Sequence, residues 1–123
     1  MLKALFLVGT GGFCGSICRY LAGIYFSNLY PNAQPWGTFI VNVVGCFLVG
    51  AFYSFSKQYE WFGAHLSLLL IIGFCGGFTT FSSFSFENIM LLEAGRFSAF
   101  AFYSTTSFLL GLLATAAGMM IFK

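Results

Sequence analysis

Apolar residues dominate this chain, and the few polar positions fall into a pattern. Four apolar runs cover about 2–27, 35–56, 65–92 and 97–122. Each reaches the roughly 20 residues that an α-helix needs to cross a bilayer. Short polar segments separate them. The stretch 28–36, NLYPNAQPW, carries two prolines and two asparagines and predicts a loop. The stretch 57–65, KQYEWFGAH, brings charge together with Trp61, as expected where a helix meets the headgroups. The stretch 93–96, EAGR, predicts a tight turn with a glycine helix stop. The pattern predicts an all-α membrane protein of four transmembrane helices, a single four-span domain over 1–123.

Polar positions within the spans form stripes. In the first span Gly12, Ser16, Arg19 and Gly23 share a helical face. The glycines suit close helix packing. Arg19 either snorkels to the interface, supplies positive potential near a pore mouth, or caps helix carbonyls. In the second span Thr38, Asn42, Gly45 and Val49 line one face. The Asn42 carboxamide, deep in the span, either ties two helices together or donates N–H to an ion in transit. In the fourth span Ser104, Ser107, Gly111, Thr115 and Gly118 follow one face, with Tyr103 beside them. Such hydroxyls either bond back to their own backbone or form a row of weak neutral donors for an anion.

The third span is the least helix-like. Residues 73–88 read GFCGGFTTFSSFSFEN. Gly76, Gly77, Thr79 and Thr80 disfavour helix, so a break is predicted near 76–82. A broken membrane helix is tolerated where its freed backbone groups meet protein, water or ions. Beyond the break Phe81 and Phe84 stand three apart. Their ring edges carry partial positive charge that an anion can contact weakly, although Phe at this spacing is more often simple packing.

Composition adds exclusions. The chain is 59% hydrophobic and 7% charged, too apolar for a soluble domain of this size. A net charge of +2 without a basic block argues against nucleic acid as a partner. The first apolar run continues past Lys3 and Arg19 without a clear cleavage site, so it reads as a span and not a signal peptide. Cys14, Cys18, Cys46 and Cys75 lie within the spans and His65 lies far from them, which reads as packing and not a metal or redox centre. No nucleophile–base pair or paired carboxylates suggest an enzyme. Lys3, Lys57 and Lys123 share the side of the termini, against Arg96 opposite, joined by Arg19 if that residue reaches the interface. That bias is weak and leaves both orientations open.

In order, GGFCGSICRY (11–20), WGTFIVNVVGCFLVG (36–50) and GFCGGFTTFSSFSFE (73–87) resemble the Fluc (CrcB) family of fluoride channels. The resemblance covers essentially the whole chain. It implies an antiparallel, dual-topology homodimer in the plasma or inner membrane, with the lipid bilayer as its surroundings. It implies passive export of fluoride along pathways at the subunit interface, which lowers cytoplasmic fluoride. Asn42, Phe81 and Phe84 match the family's pore asparagine and aromatic box. Ser82, Ser83 and Ser85 match hydroxyls near the path, with Ser83 where the family commonly has Thr. Thr38, on the Asn42 face, joins this set, and Tyr103, Ser107 and Thr115 resemble the polar track. Arg19 matches the vestibule arginine. A central sodium ion would be held by the Gly76 and Thr79 carbonyls. Two rivals fit less well. An ion-coupled exporter of the small multidrug resistance type would want a carboxylate in the first span, which has none. A non-transporting assembly subunit would leave the polar stripes without a shared purpose.

Overall fold

A computed structural model describes residues 1–30 and 35–123. Helix α1 is Leu2–Leu29, α2 is Trp36–Gln58 and α6 is Phe97–Ile121. Between α2 and α6 lies the third span, Glu60–Glu93, built in pieces. A 3₁₀ turn at Glu60–Phe62 leads into α3, Gly63–Leu66. A π-helical stretch, Ser67–Cys75, follows, then the single turn α4, Gly76–Phe78. Thr79 and Thr80 are extended, and α5, Phe81–Glu93, restarts the helix. Four helical units are thus long and apolar enough to cross a membrane, and among the described residues there is no strand.

These four units correspond to the four expected spans and overrun some of their ends slightly. The first two helices run on through Asn28 and Gln58, because polar residues at the headgroup level continue the backbone ladder begun in hydrocarbon. The expected loop over 28–36 is shorter on both sides. Its central residues, Pro31 to Gln34, lie outside the described residues. The expected glycine stop after α5 is a Schellman motif. Arg96 N–H bonds the Leu91 carbonyl (2.9 Å), Gly95 N–H bonds the Leu92 carbonyl (3.0 Å), and Gly95 adopts φ +73°.

Small residues let the helices approach backbone to backbone. A Cβ on Gly11 would collide with the Leu69 carbonyl, and one on Gly15 with the Phe74 carbonyl. In the other direction, a Cβ on Gly77 would come 2.6 Å from the Gly12 carbonyl. The α1 face in use is centred on Gly11 and Gly15; of the expected stripe, Gly12, Arg19 and Gly23 lie at its edge against neighbouring helices, and Ser16 is exposed. Helices α2 and α6 meet the same way, with Gly50 against the Thr115 carbonyl and Gly118 against the Phe47 carbonyl. Such contacts suit association in lipid, where burying apolar side chains gives little gain. The buried apolar set is correspondingly small: Val41, Ala51, Phe62, Cys75, Leu91 and Tyr103.

Candidate functional site

The break in the third span follows from its sequence and is held by side chains from two neighbouring helices. In a continuous helix Thr80 N–H would reach the Gly76 carbonyl. Here it bonds Asn42 Oδ1 (2.8 Å), and Asn42 Nδ2 donates to the Thr80 carbonyl (3.0 Å). The carboxamide thus imitates a peptide and satisfies both backbone groups of one extended residue. Ser83 N–H, which would reach Thr79, bonds instead to Thr80 Oγ1 (3.1 Å), making Thr80 the N-cap of α5. Thr79 Oγ1 bonds back to the Cys75 carbonyl (2.9 Å), which also accepts from Thr79 N–H. The Gly76 and Thr79 carbonyls are thereby released from the helix ladder.

From the other side, Arg19 Nε donates to the Gly77 carbonyl (3.1 Å). Of the three roles open to Arg19, carbonyl capping is the one its Nε performs. Arg19 also lines a groove of about 480 Å³ together with Thr38, Thr80 and Ser83. Ser27 and Asn28 line the same groove, which places its mouth near the end of α1.

A second groove, of about 400 Å³, lies on the other side of Thr80. It gathers Asn42, Thr79, Phe81, Phe84, Ser107 and Thr115. The Phe81 and Phe84 rings are 5.8 Å apart, and the Phe84 ring is 5.1 Å from the Tyr103 ring. Phe81 is 78% exposed, so its ring looks out of the single chain. Ser107 Oγ is buried and has no hydrogen-bond partner among the described residues. In a chain meant for hydrocarbon, a buried hydroxyl without a partner is costly, and this one belongs to a residue that lines the groove. Thr115 differs, since its hydroxyl bonds the Gly111 carbonyl one turn back (3.0 Å).

Not every expected residue joins these grooves. Ser82 and Ser85 lie outside the lining of both, and Ser82 Oγ sits 3.2 Å from Thr80 Oγ1. Tyr103 lines a small, mostly apolar hollow of about 100 Å³. Its hydroxyl donates to Glu87 Oε1 (3.0 Å), while Thr38 Oγ1 donates to Glu87 Oε2 (2.9 Å). Glu87 was not among the expected pathway residues. The signal was present: the only carboxylate within the four expected apolar runs lies one turn beyond Phe84. Asn88 beside it was missed as well. It is 6% exposed and takes a hydrogen bond from Ser104 (2.9 Å).

The lining of the second groove carries no charged side chain and is rich in oxygen. Among the described residues no three His, Cys, Asp or Glu side chains come together to hold a metal ion. A cation here would have to be met by main-chain carbonyls, and those of Gly76 and Thr79 fit that need. Gly76 is exposed and a Cβ on it would meet nothing within 4 Å, so its surroundings are open on the face away from the rest of the chain.

Comparison with known proteins agrees with this architecture along nearly the whole chain. Residues 6–119 match the family described as CrcB-like protein, Camphor Resistance (CrcB). Proteins named fluoride-specific ion channel FluC are similar throughout. The one from Bacteroides fragilis is 44% identical over 95% of this chain and 94% of its own length. That from Leptospira interrogans is 40% identical over 98% and 95%, and that from Rhizobium leguminosarum bv. trifolii is 44% identical over 100% and 98%. With four spans, a broken third helix and matches of this extent, the chain belongs to the CrcB family of multi-pass membrane proteins.

Proposed function

We propose that this chain forms a passive, fluoride-selective channel. The observation that carries the reading is the second groove, where an unpartnered hydroxyl, a pore-depth carboxamide and two phenyl rings converge at a helix break. Near-full-length similarity to proteins named fluoride-specific ion channels supports it. Hydrogen fluoride is a weak acid that crosses lipid as a neutral molecule and dissociates in near-neutral cytoplasm. The anion is then trapped, and a selective pore lets it leave down its electrochemical gradient. Fluoride is small and holds its water tightly. Neutral donors and ring edges replace part of that shell without binding the ion too tightly to release it. A larger anion gains less from the same narrow set.

The reading includes a second copy of the chain, antiparallel to the first. Phe81 and Gly76 are exposed in the single chain, and both belong to the region where a path and a cation site would form. A structural sodium ion at the centre of the pair would be met by main-chain carbonyls freed at the break, those of Gly76 and Thr79. Carbonyl-only coordination without a carboxylate suits a hard monovalent cation.

Purified protein in liposomes tests the function directly. Fluoride efflux should require only a potassium-ionophore shunt, and chloride should be retained. Equal chloride efflux, or a strict need for a proton gradient, overturns the proposal.

A further inference from the structure

Helix α5 carries Phe81 and Phe84, yet its apolar side chains do little to fix it in place. Phe86, Ile89 and Met90 are exposed, and among its residues only Asn88 and Leu91 are buried. Its polar side chains do the anchoring. Glu87 and Asn88 face consecutive residues of α6: Tyr103 donates to Glu87, and Ser104 donates to Asn88 Oδ1 (2.9 Å). Asn88 Nδ2 in turn donates to the Phe84 carbonyl (2.9 Å).

The Ser104 hydroxyl proton sets which way the carboxamide points. With Oδ1 committed to Ser104, Nδ2 is turned back along α5 to the Phe84 carbonyl. A slide of α5 along α6 would break the Ser104 bond and leave the buried Asn88 Oδ1 unpaired, which hydrocarbon penalises. We propose that Asn88, oriented by Ser104, is a positioning residue that fixes Phe84 against the Tyr103 ring and so sets the shape of the path. The proposal rests on the channel reading for its functional consequence; the geometric claim stands without it.

The test uses the full-length protein with 4-fluorophenylalanine at position 84, and separately at position 81, read by fluorine NMR in lipid nanodiscs. Ser104→Ala should move or broaden the resonance at 84 and leave that at 81 unchanged. Ser104→Thr, which keeps the hydroxyl, should restore it. Asn88→Leu should have a larger effect at 84, and adding Ser104→Ala to it should change nothing further, because both act through one carboxamide. In flux, Ser104→Ala should lower the fluoride-to-chloride ratio by about threefold, the size expected of one side-chain hydrogen bond between helices in lipid. A purely architectural role would reduce the yield of folded protein without moving that ratio or the resonance at 84. An unchanged resonance at 84 in Ser104→Ala overturns the proposal, even if Asn88→Leu does not fold. Additive effects of the two substitutions overturn it too. If the unaltered protein carries no fluoride, the channel reading fails, and the NMR arm still decides the positioning claim.

Discussion

Replacing Asn42 with alanine removes both hydrogen bonds to the Thr80 backbone, at 2.8 and 3.0 Å. It leaves one N–H and one carbonyl of an extended residue without partners. Each such loss costs about 1–3 kcal/mol where water cannot enter. The groove of about 400 Å³ beside Asn42 and Thr80 admits water, which recovers part of that. A net cost of about 2 kcal/mol is expected. That corresponds to a shift of about 30-fold between the held and the released break. Hydrogen exchange measured by mass spectrometry in nanodiscs should show the Thr80 amide exchanging faster by about this factor. Amides of the α2–α6 contact should keep their protection. Fluoride flux per folded protein should fall in parallel. If flux falls while Thr80 keeps its protection, Asn42 acts on the ion and not on the backbone. If neither changes, the reciprocal pair is irrelevant to the break, and the carboxamide does not stand in for a peptide there.

Phe81→Ile and Phe84→Ile keep bulk but delete the positive ring edge, so each should cut fluoride flux by about tenfold without loss of folded protein, with methionine tolerated better; normal flux in both would reduce the rings to packing. Gly15→Ala drives a Cβ into the Phe74 carbonyl and should cost about 1–3 kcal/mol or more, seen as a lower melting temperature, because backbone atoms cannot swing aside. Gly9→Ala is its control, since a Cβ at Gly9 meets nothing within 4 Å; equal behaviour of the two would contradict the backbone-contact account. A single cysteine introduced at a terminus, in a background freed of the four native ones, should be labelled from both sides of the membrane in cells; labelling from one side only would end the dual-topology reading.

The spans were legible in the sequence because lipid leaves few choices: an apolar run of sufficient length must satisfy its backbone internally. The break was legible for the opposite reason. Gly76, Gly77, Thr79 and Thr80 in succession weaken helix where nothing else would interrupt it. The π-helical winding of Ser67–Cys75 was not legible, because SLLLIIGFC is as compatible with an ordinary α-helix. The pairing of Glu87 with Thr38 and Tyr103 was hidden as well. Each partner lies on a different helix, and a stripe of donors on one helix says nothing of the acceptors it will meet. In the sequence Glu87 is only a stray carboxylate, and nothing there marks Asn88 as buried or paired.

That hidden pairing changes what one copy of the chain offers a moving anion. Thr38 and Tyr103 give their hydroxyl protons to Glu87, Thr115 gives its proton to Gly111, and Ser104 gives its proton to Asn88. Asn42 spends one of its two amide hydrogens on Thr80. Among the described residues, what remains free around the second groove is the Ser107 hydroxyl, the other Asn42 hydrogen, one hydroxyl proton of the Thr80–Ser82 pair and the ring edges of Phe81 and Phe84. This is too small a set to replace the several waters that a small anion holds. The shortfall lies on the open side of the groove, where Phe81 points away from its own chain. On the channel reading, a path complete enough for fluoride therefore needs a surface from outside the single chain, which a second copy would supply by bringing the same rings and hydroxyls to that side.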